Sequence, residues 1–235
     1  MKKHIVLFVV TLFLVNNLSL AVDLTVSSAV DWNEAIARMS SENVNITLIN
    51  DITVNGSFNI TNNWNGRSLT INGNGKKLTI SGSSTFEGNF SVTYSNLDLT
   101  LNTMTITQNT KVTLTNTSVN VSNLVLNGGA GVTLNVNSGS SFDVAEKTDM
   151  GTQSTINVSG TFESSSFTSH DGSSTLKVLD NGCARVKGDG IVTSGANFSV
   201  SQNGQLRFDG DFTLTNGSNM TLNGDMEVYG KMDVY

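Results

Sequence analysis

The chain has 235 residues with 22 glycines, no proline, one cysteine, 14% charged residues and a formal net charge of −6. A single cysteine excludes a disulfide scaffold and a cysteine-rich metal site. The basic residues adjoin one another only at Lys2-Lys3 and Lys76-Lys77, which excludes the basic stripe that nucleic-acid binding requires.

The first element is expected to be a secretory signal peptide over residues 1–21. Lys2 and Lys3 form a basic start, Ile5 to Val15 an apolar run, and Ser19-Leu20-Ala21 supplies small residues for cleavage after Ala21. The alternative, a retained anchor, is opposed by the shortness of the run and by Asn16 and Asn17 behind it. Cleavage removes two of the 13 basic residues and none of the 19 acidic ones, leaving 11 against 19 and a mature charge of −8. No second apolar run is long enough to span a bilayer, so no transmembrane segment is expected after cleavage.

Residues 22–45 are read as an N-terminal cap that contains a helix over 31–39. Asp31 is placed as its N-cap, with Glu34 three residues on completing a capping-box-like pair. Trp32, Ala35, Ile36 and Met39 share one face, which is expected to lie as a lid over the first coil of a repeat that begins at residue 46.

From residue 46 to 235 a short strand unit of polar, apolar, polar residues recurs. Its apolar centres are Leu48, Leu69, Val92, Leu114, Leu134, Ile156, Leu176, Phe198 and Met220. The first and last lie 172 residues apart over eight intervals, a mean period of 21.5. A second apolar strand follows each, as at Ile52 and Val54, Leu97 and Leu99, or Phe142 and Val144. Alternation of apolar residues with Thr, Ser or Asn marks half-buried strands. One such coil cannot bury its own inward residues, but stacked coils share one core and satisfy each other's backbone groups.

This arrangement accounts for the composition. Ser, Thr and Asn, about thirty of each and roughly 37% of the chain, supply outward positions and corners, while a proline would delete a ladder donor. The fold class read is all-β: a right-handed, single-stranded parallel β-helix of about nine coils, roughly 43 Å long, with a short capping helix. No lid-forming helix follows the last coil, which carries Asp225, Glu227, Lys231 and Asp233. An end-to-end partner is one expectation there, a longer parent chain another.

The signal peptide, the amphipathic cap and the segments "VNITLINDITVNGSFNI" and "RSLTINGNGKKLTISG" resemble the start of a parallel β-helix of the pectin-lyase-like superfamily. The resemblance extends from Val22 to about Tyr235. It implies a fold used by pectate lyases, polygalacturonases, phage tailspikes and autotransporter adhesins, and it implies no single activity.

Glycoside hydrolysis needs two carboxylates about 5–10 Å apart. Asp189 with Asp209 or Asp211 falls at one coil length, so the two could stack; the alternative is turn chemistry at the Asp-Gly corners. The polygalacturonase motifs and the proline-containing arginine motif of pectate lyases are absent. Arg185 and Arg207, 22 residues apart, could bind an acidic sugar or be a plain stack of outward side chains. Trp64 is the aromatic placed to stack on a sugar, with packing as its other role. His170, the sole histidine after cleavage, is expected to be a solvated loop residue.

Two rows, Ser91, Thr113, Thr133, Thr155 and Thr93, Thr115, Asn135, Asn157, would form a flat polar array of the kind seen in ice-binding solenoids. No cofactor or metal site is expected. The expected function is a secreted or cell-surface structural or adhesion module that meets extracellular polysaccharide or a host or neighbouring cell surface. The alternatives are a polysaccharide-active enzyme or carbohydrate-binding relative of the pectinases, and an ice-binding solenoid.

Overall fold

The computed structural model describes residues 21–61, 66–128, 131–170, 172–193, 195–215 and 217–235. Its strands all pair in parallel and wind into a β-solenoid of about nine turns. Each full coil contributes three strands, giving the rod three sheet faces. Face 1 runs from Val22–Val26 to Asn219–Leu222, face 2 from Ile52–Val54 to Asp225–Val228, and face 3 from Phe58–Ile60 to Met232–Val234. The long strand Ser91–Thr107 bends around two corners and serves all three.

Alternation drives this. In Val132–Val136 and Ser154–Val158 every second residue is buried and the residues between stand outward. Each inward Val, Leu, Ile or Phe contributes about 1.5–3 kcal/mol by leaving water. The inward column of face 1 reads Val22, Val44, Leu69, Val92, Val112, Leu134, Ile156, Leu176, Phe198, Met220.

From Val22 to Met220 this column covers 198 residues in nine steps, a period of 22 rather than 21.5. Leu48 and Leu114, expected in the same column, are inward but displaced along their strands: Leu48 pairs with Val26, and Leu114 with Tyr94 and Val136. Leu97 likewise pairs with Lys76, and Leu99 takes the place beside Leu78. Each displacement is an even number of residues. Apolar neighbours two apart are interchangeable to a pattern of period two, whereas an odd slip would turn the strand inside out.

The third strand per coil is additional to the two expected. Its inward column is Phe58, Ser84, Met104, Leu124, Thr148, Phe167, Gly190, Phe212 and Met232, which mixes large apolar side chains with Ser, Thr and Gly. The small members make room for rings. A Cβ on Gly190 would lie 2.3 Å from Phe208 Cε1, and the Phe208 and Phe212 rings pack at 4.4 Å in that space. Of the polar members, Thr148 bonds Ser164 of face 2 at 2.8 Å, while the buried Ser84 hydroxyl has no hydrogen-bond partner among the described residues; elsewhere in the interior Ser169 and Ser174 bond each other. On face 1 the buried Tyr94 hydroxyl has no hydrogen-bond partner among the described residues.

The helix, α1, spans Ala29–Arg38. Ser28, not Asp31, is its N-cap: the Ser28 hydroxyl accepts the Asp31 N–H at 3.2 Å. Asp31 sits in the first turn, and its carboxylate accepts the Ser27 N–H (2.9 Å) and hydroxyl (2.5 Å). These bonds, the Ser27 hydroxyl foremost, hold the Asp31 carboxyl below its ordinary range. Trp32, Ala35 and Met39 are buried and Ile36 partly so, as the amphipathic pattern requires. Trp32 meets Phe58 edge-on at 5.3 Å, and Phe58 meets Phe86 at 5.7 Å, so α1 joins the aromatic core of face 3. No described helix is long and apolar enough to cross a membrane.

Candidate functional site

The outward column of face 2 changes character along the rod. It begins Thr53, Thr79, Thr100, Asn120 and continues Asp143, Glu163, Arg185, Arg207, Glu227. Arg185 and Arg207 are thus adjacent and in register, as their spacing suggests. Two like charges side by side need a counterion, and Asp209 is it. Its carboxylate accepts Arg185 Nε at 2.9 Å and Nη2 at 2.6 Å, and Arg207 Nε at 2.5 Å. The arginines, Arg185 first, hold the Asp209 carboxyl below the usual carboxylate range. Arg207 also lies 4.2 Å over the Tyr229 ring.

Asp209 is therefore an ionised structural bridge here and carries no proton to give. Asp189 and Asp211 belong to a different place, the corner between faces 2 and 3. Asp189 Oδ1 accepts the Asp211 N–H at 2.9 Å, and Asp211 Oδ1 accepts the Lys231 N–H at 2.8 Å. The stacking partner of Asp189 is thus Asp211, and each carboxylate ties its coil to the next. The flanking Gly210 is required by this close approach, since a Cβ would sit 2.6 Å from the Gly188 carbonyl carbon. Trp64 lies outside the described residues.

Lys187 completes the charged region, with Nζ 3.2 Å from Asp143 and 2.9 Å from Glu163. These contacts, Glu163 foremost, raise its pKa. Asp143, Glu163, Arg185, Arg207 and Glu227 recur every 20 or 22 residues, so this ladder was within reach of the coil period. What period alone hid is Lys187, which reaches across two coils. A recess of about 320 Å³ beside this ladder is lined by both signs of charge and by Cys183, whose thiol burial pushes above its ordinary range. His170 is half-exposed yet paired, its Nε2 3.0 Å from Asp149, which also binds Lys147 at 3.0 Å. Among the described residues no group of His, Cys, Asp or Glu is arranged to hold a metal ion.

A groove of about 770 Å³ runs along the corner between faces 1 and 2. It follows six successive coils, from Gly75 to Asn181, a length of about 24 Å at the strand spacing. Asn96, Asn116 and Asn181 hold the corner at φ of 49°, 47° and 62°, a conformation asparagine tolerates. Hydroxyl and amide groups line the groove, and Asp98 is the one charged residue among its described lining.

The expected flat threonine array takes a different form. Thr113 stacks with Thr93 and Asn135, while Lys111 stands between Ser91 and Thr133 and breaks the other row. Asparagines bond along the rod, Asn157 Nδ2 to Asn135 Oδ1 at 2.8 Å and Asn135 Nδ2 to Thr113 Oγ1 at 3.3 Å. Their amide groups are thereby used between coils. Comparison of the chain with protein-family models, with curated proteins and with solved structures finds no match.

Proposed function

We propose that the protein is a secreted rod acting as a structural or adhesion module outside the cell, related in architecture to the pectin-lyase-like β-helices. The observation that carries this reading is the employment of its charged side chains. Asp209 binds Arg185 and Arg207, Lys187 binds Asp143 and Glu163, and Asp189 and Asp211 accept backbone N–H groups of the following coil. Chemistry that a hydrolase or an acidic-sugar site would direct at a ligand is directed here at the next coil.

A second reading, carbohydrate binding, is favoured by the groove between faces 1 and 2. Its amides and hydroxyls, from Asn96, Asn116, Thr117, Ser140, Thr161 and Asn181, follow five successive coils, which suits an extended, uncharged polysaccharide laid along the rod axis. The test is retention of the purified protein on immobilised neutral and acidic polysaccharides and on matrix proteins. Retention without turnover is expected, with neutral glycans preferred and Asn116→Ala weakening them. Turnover of polygalacturonate would overturn the proposal in favour of an enzyme, and failure to bind any surface would remove the adhesion reading.

A further inference from the structure

The groove along the corner between faces 1 and 2 differs from the neighbouring face in how its polar groups are employed. On face 1 the amides bond along the rod, Asn157 to Asn135 and Asn135 to Thr113. In the groove Asn116, Ser138, Thr161 and Asn181 are exposed, and among the described residues their side chains bond no other residue. These four belong to four successive coils. The strands that enter and leave their corners stack in register on both faces, so the free amide and hydroxyl groups follow the rod axis. Their step is the strand spacing of about 4.8 Å, which the hydrogen-bonded ladders hold fixed.

A ligand that uses this row must be straight and must offer a hydrogen-bonding group at each step. A β-1,4-linked pyranose chain does both, because its backbone is extended and each sugar advances by close to one coil spacing. An α-1,4-linked glucan curves away from a straight groove within a few sugars. Charge narrows the choice further. Among the described lining Asp98 is the one charged residue, so a chain of uronates meets an acid and no counterion. No aromatic ring lines the groove, so the contact is made to ring hydroxyls at the edges of the sugars. Each such bond adds little alone, and affinity is gathered along the chain.

We propose that the groove binds an uncharged β-1,4-linked polysaccharide parallel to the rod axis, in register at about one sugar per coil. Its length of about 24 Å holds about five sugars. This inference rests on the carbohydrate reading of the groove and adds to it the linkage and the register.

The test is titration of the purified protein with β-1,4-linked gluco- and manno-oligosaccharides of increasing length, beside α-1,4-linked malto-oligosaccharides of the same lengths. Affinity for the β-1,4 series is expected to climb with length and level off near about five sugars. At that length the α-1,4 series should bind at least about tenfold more weakly. Asn181→Gly keeps the left-handed backbone at its corner and Thr161→Val keeps the shape of its side chain. Each should weaken the longest β-1,4 ligand about three- to tenfold with β-sheet circular dichroism unchanged, whereas Thr133→Ala, at the far side of face 1, should not. If one variant loses its β-sheet signal, the other supplies the same readout. Equal binding of the two series, a plateau at two or three sugars, or groove variants that bind like the unmodified chain would overturn this inference and leave carbohydrate binding standing. Failure to bind any neutral oligosaccharide would remove both.

Discussion

Trp32 and Met39 lie at 1% and 0% exposure beneath a capped helix, while at the far end of the same rod Met232 and Val234 stand largely in water. The strands at both ends obey the same alternation; what differs is the neighbour. An interior coil receives both its covering layers from copies of its own pattern, whereas a terminal coil needs a surface that the repeat does not provide. Here the first coil has that surface as α1, an α-helix of unrelated periodicity, while the coil of Met220, Met226 and Met232 has no such layer among the described residues.

The substitutions that probe this contrast differ in expected size. Trp32→Ala should cost about 3–5 kcal/mol, because the ring fills the junction between α1 and Phe58. Met232→Ala, at a half-exposed side chain, should cost less than about 1 kcal/mol. Denaturant unfolding of the two variants measures the difference, and equal costs would break the comparison. Gly190→Ala, in a coil covered on both sides, should destabilise by about 1–3 kcal/mol, since its Cβ would enter the Phe208 ring.

Tyr94→Phe should instead stabilise by about 1 kcal/mol or more, by removing a buried hydroxyl without a partner among the described residues. Smallest is the pH effect. Asp31 in α1 and Asp209 between Arg185 and Arg207 have depressed folded-state values. Their contributions are complete above the ordinary carboxylate range and fade as pH falls below about 4 through the folded values. Thermal midpoints across that range should fall for the unmodified chain and less steeply for Asp209→Asn.

Much of the fold is legible in the sequence because the solenoid repeats a simple instruction. Inward parity, the coil length and the apolar face of α1 all follow from spacing. The third face escapes because Ser84, Thr148 and Gly190 occupy inward places where a hydrophobic pattern expects large side chains, and their reason lies in neighbouring coils. Ser28 is passed over for Asp31 because both are good capping residues three positions apart. At the candidate site, the 22-residue spacing brings Arg185 and Arg207 together, but nothing local says that Asp209, two residues beyond Arg207, bridges both. The Asp189 and Asp211 corner is legible as turn chemistry, while the backbone amides they hold belong to coils that only the register identifies.

The most direct test of a rod of stacked coils under a helical lid is residue-level amide hydrogen exchange. Strong protection is expected in every strand of the interior coils on all three faces and in the strands beneath α1, with the corner residues between strands exchanging faster. Fast exchange beneath α1, or along one whole face of the interior coils, would contradict it.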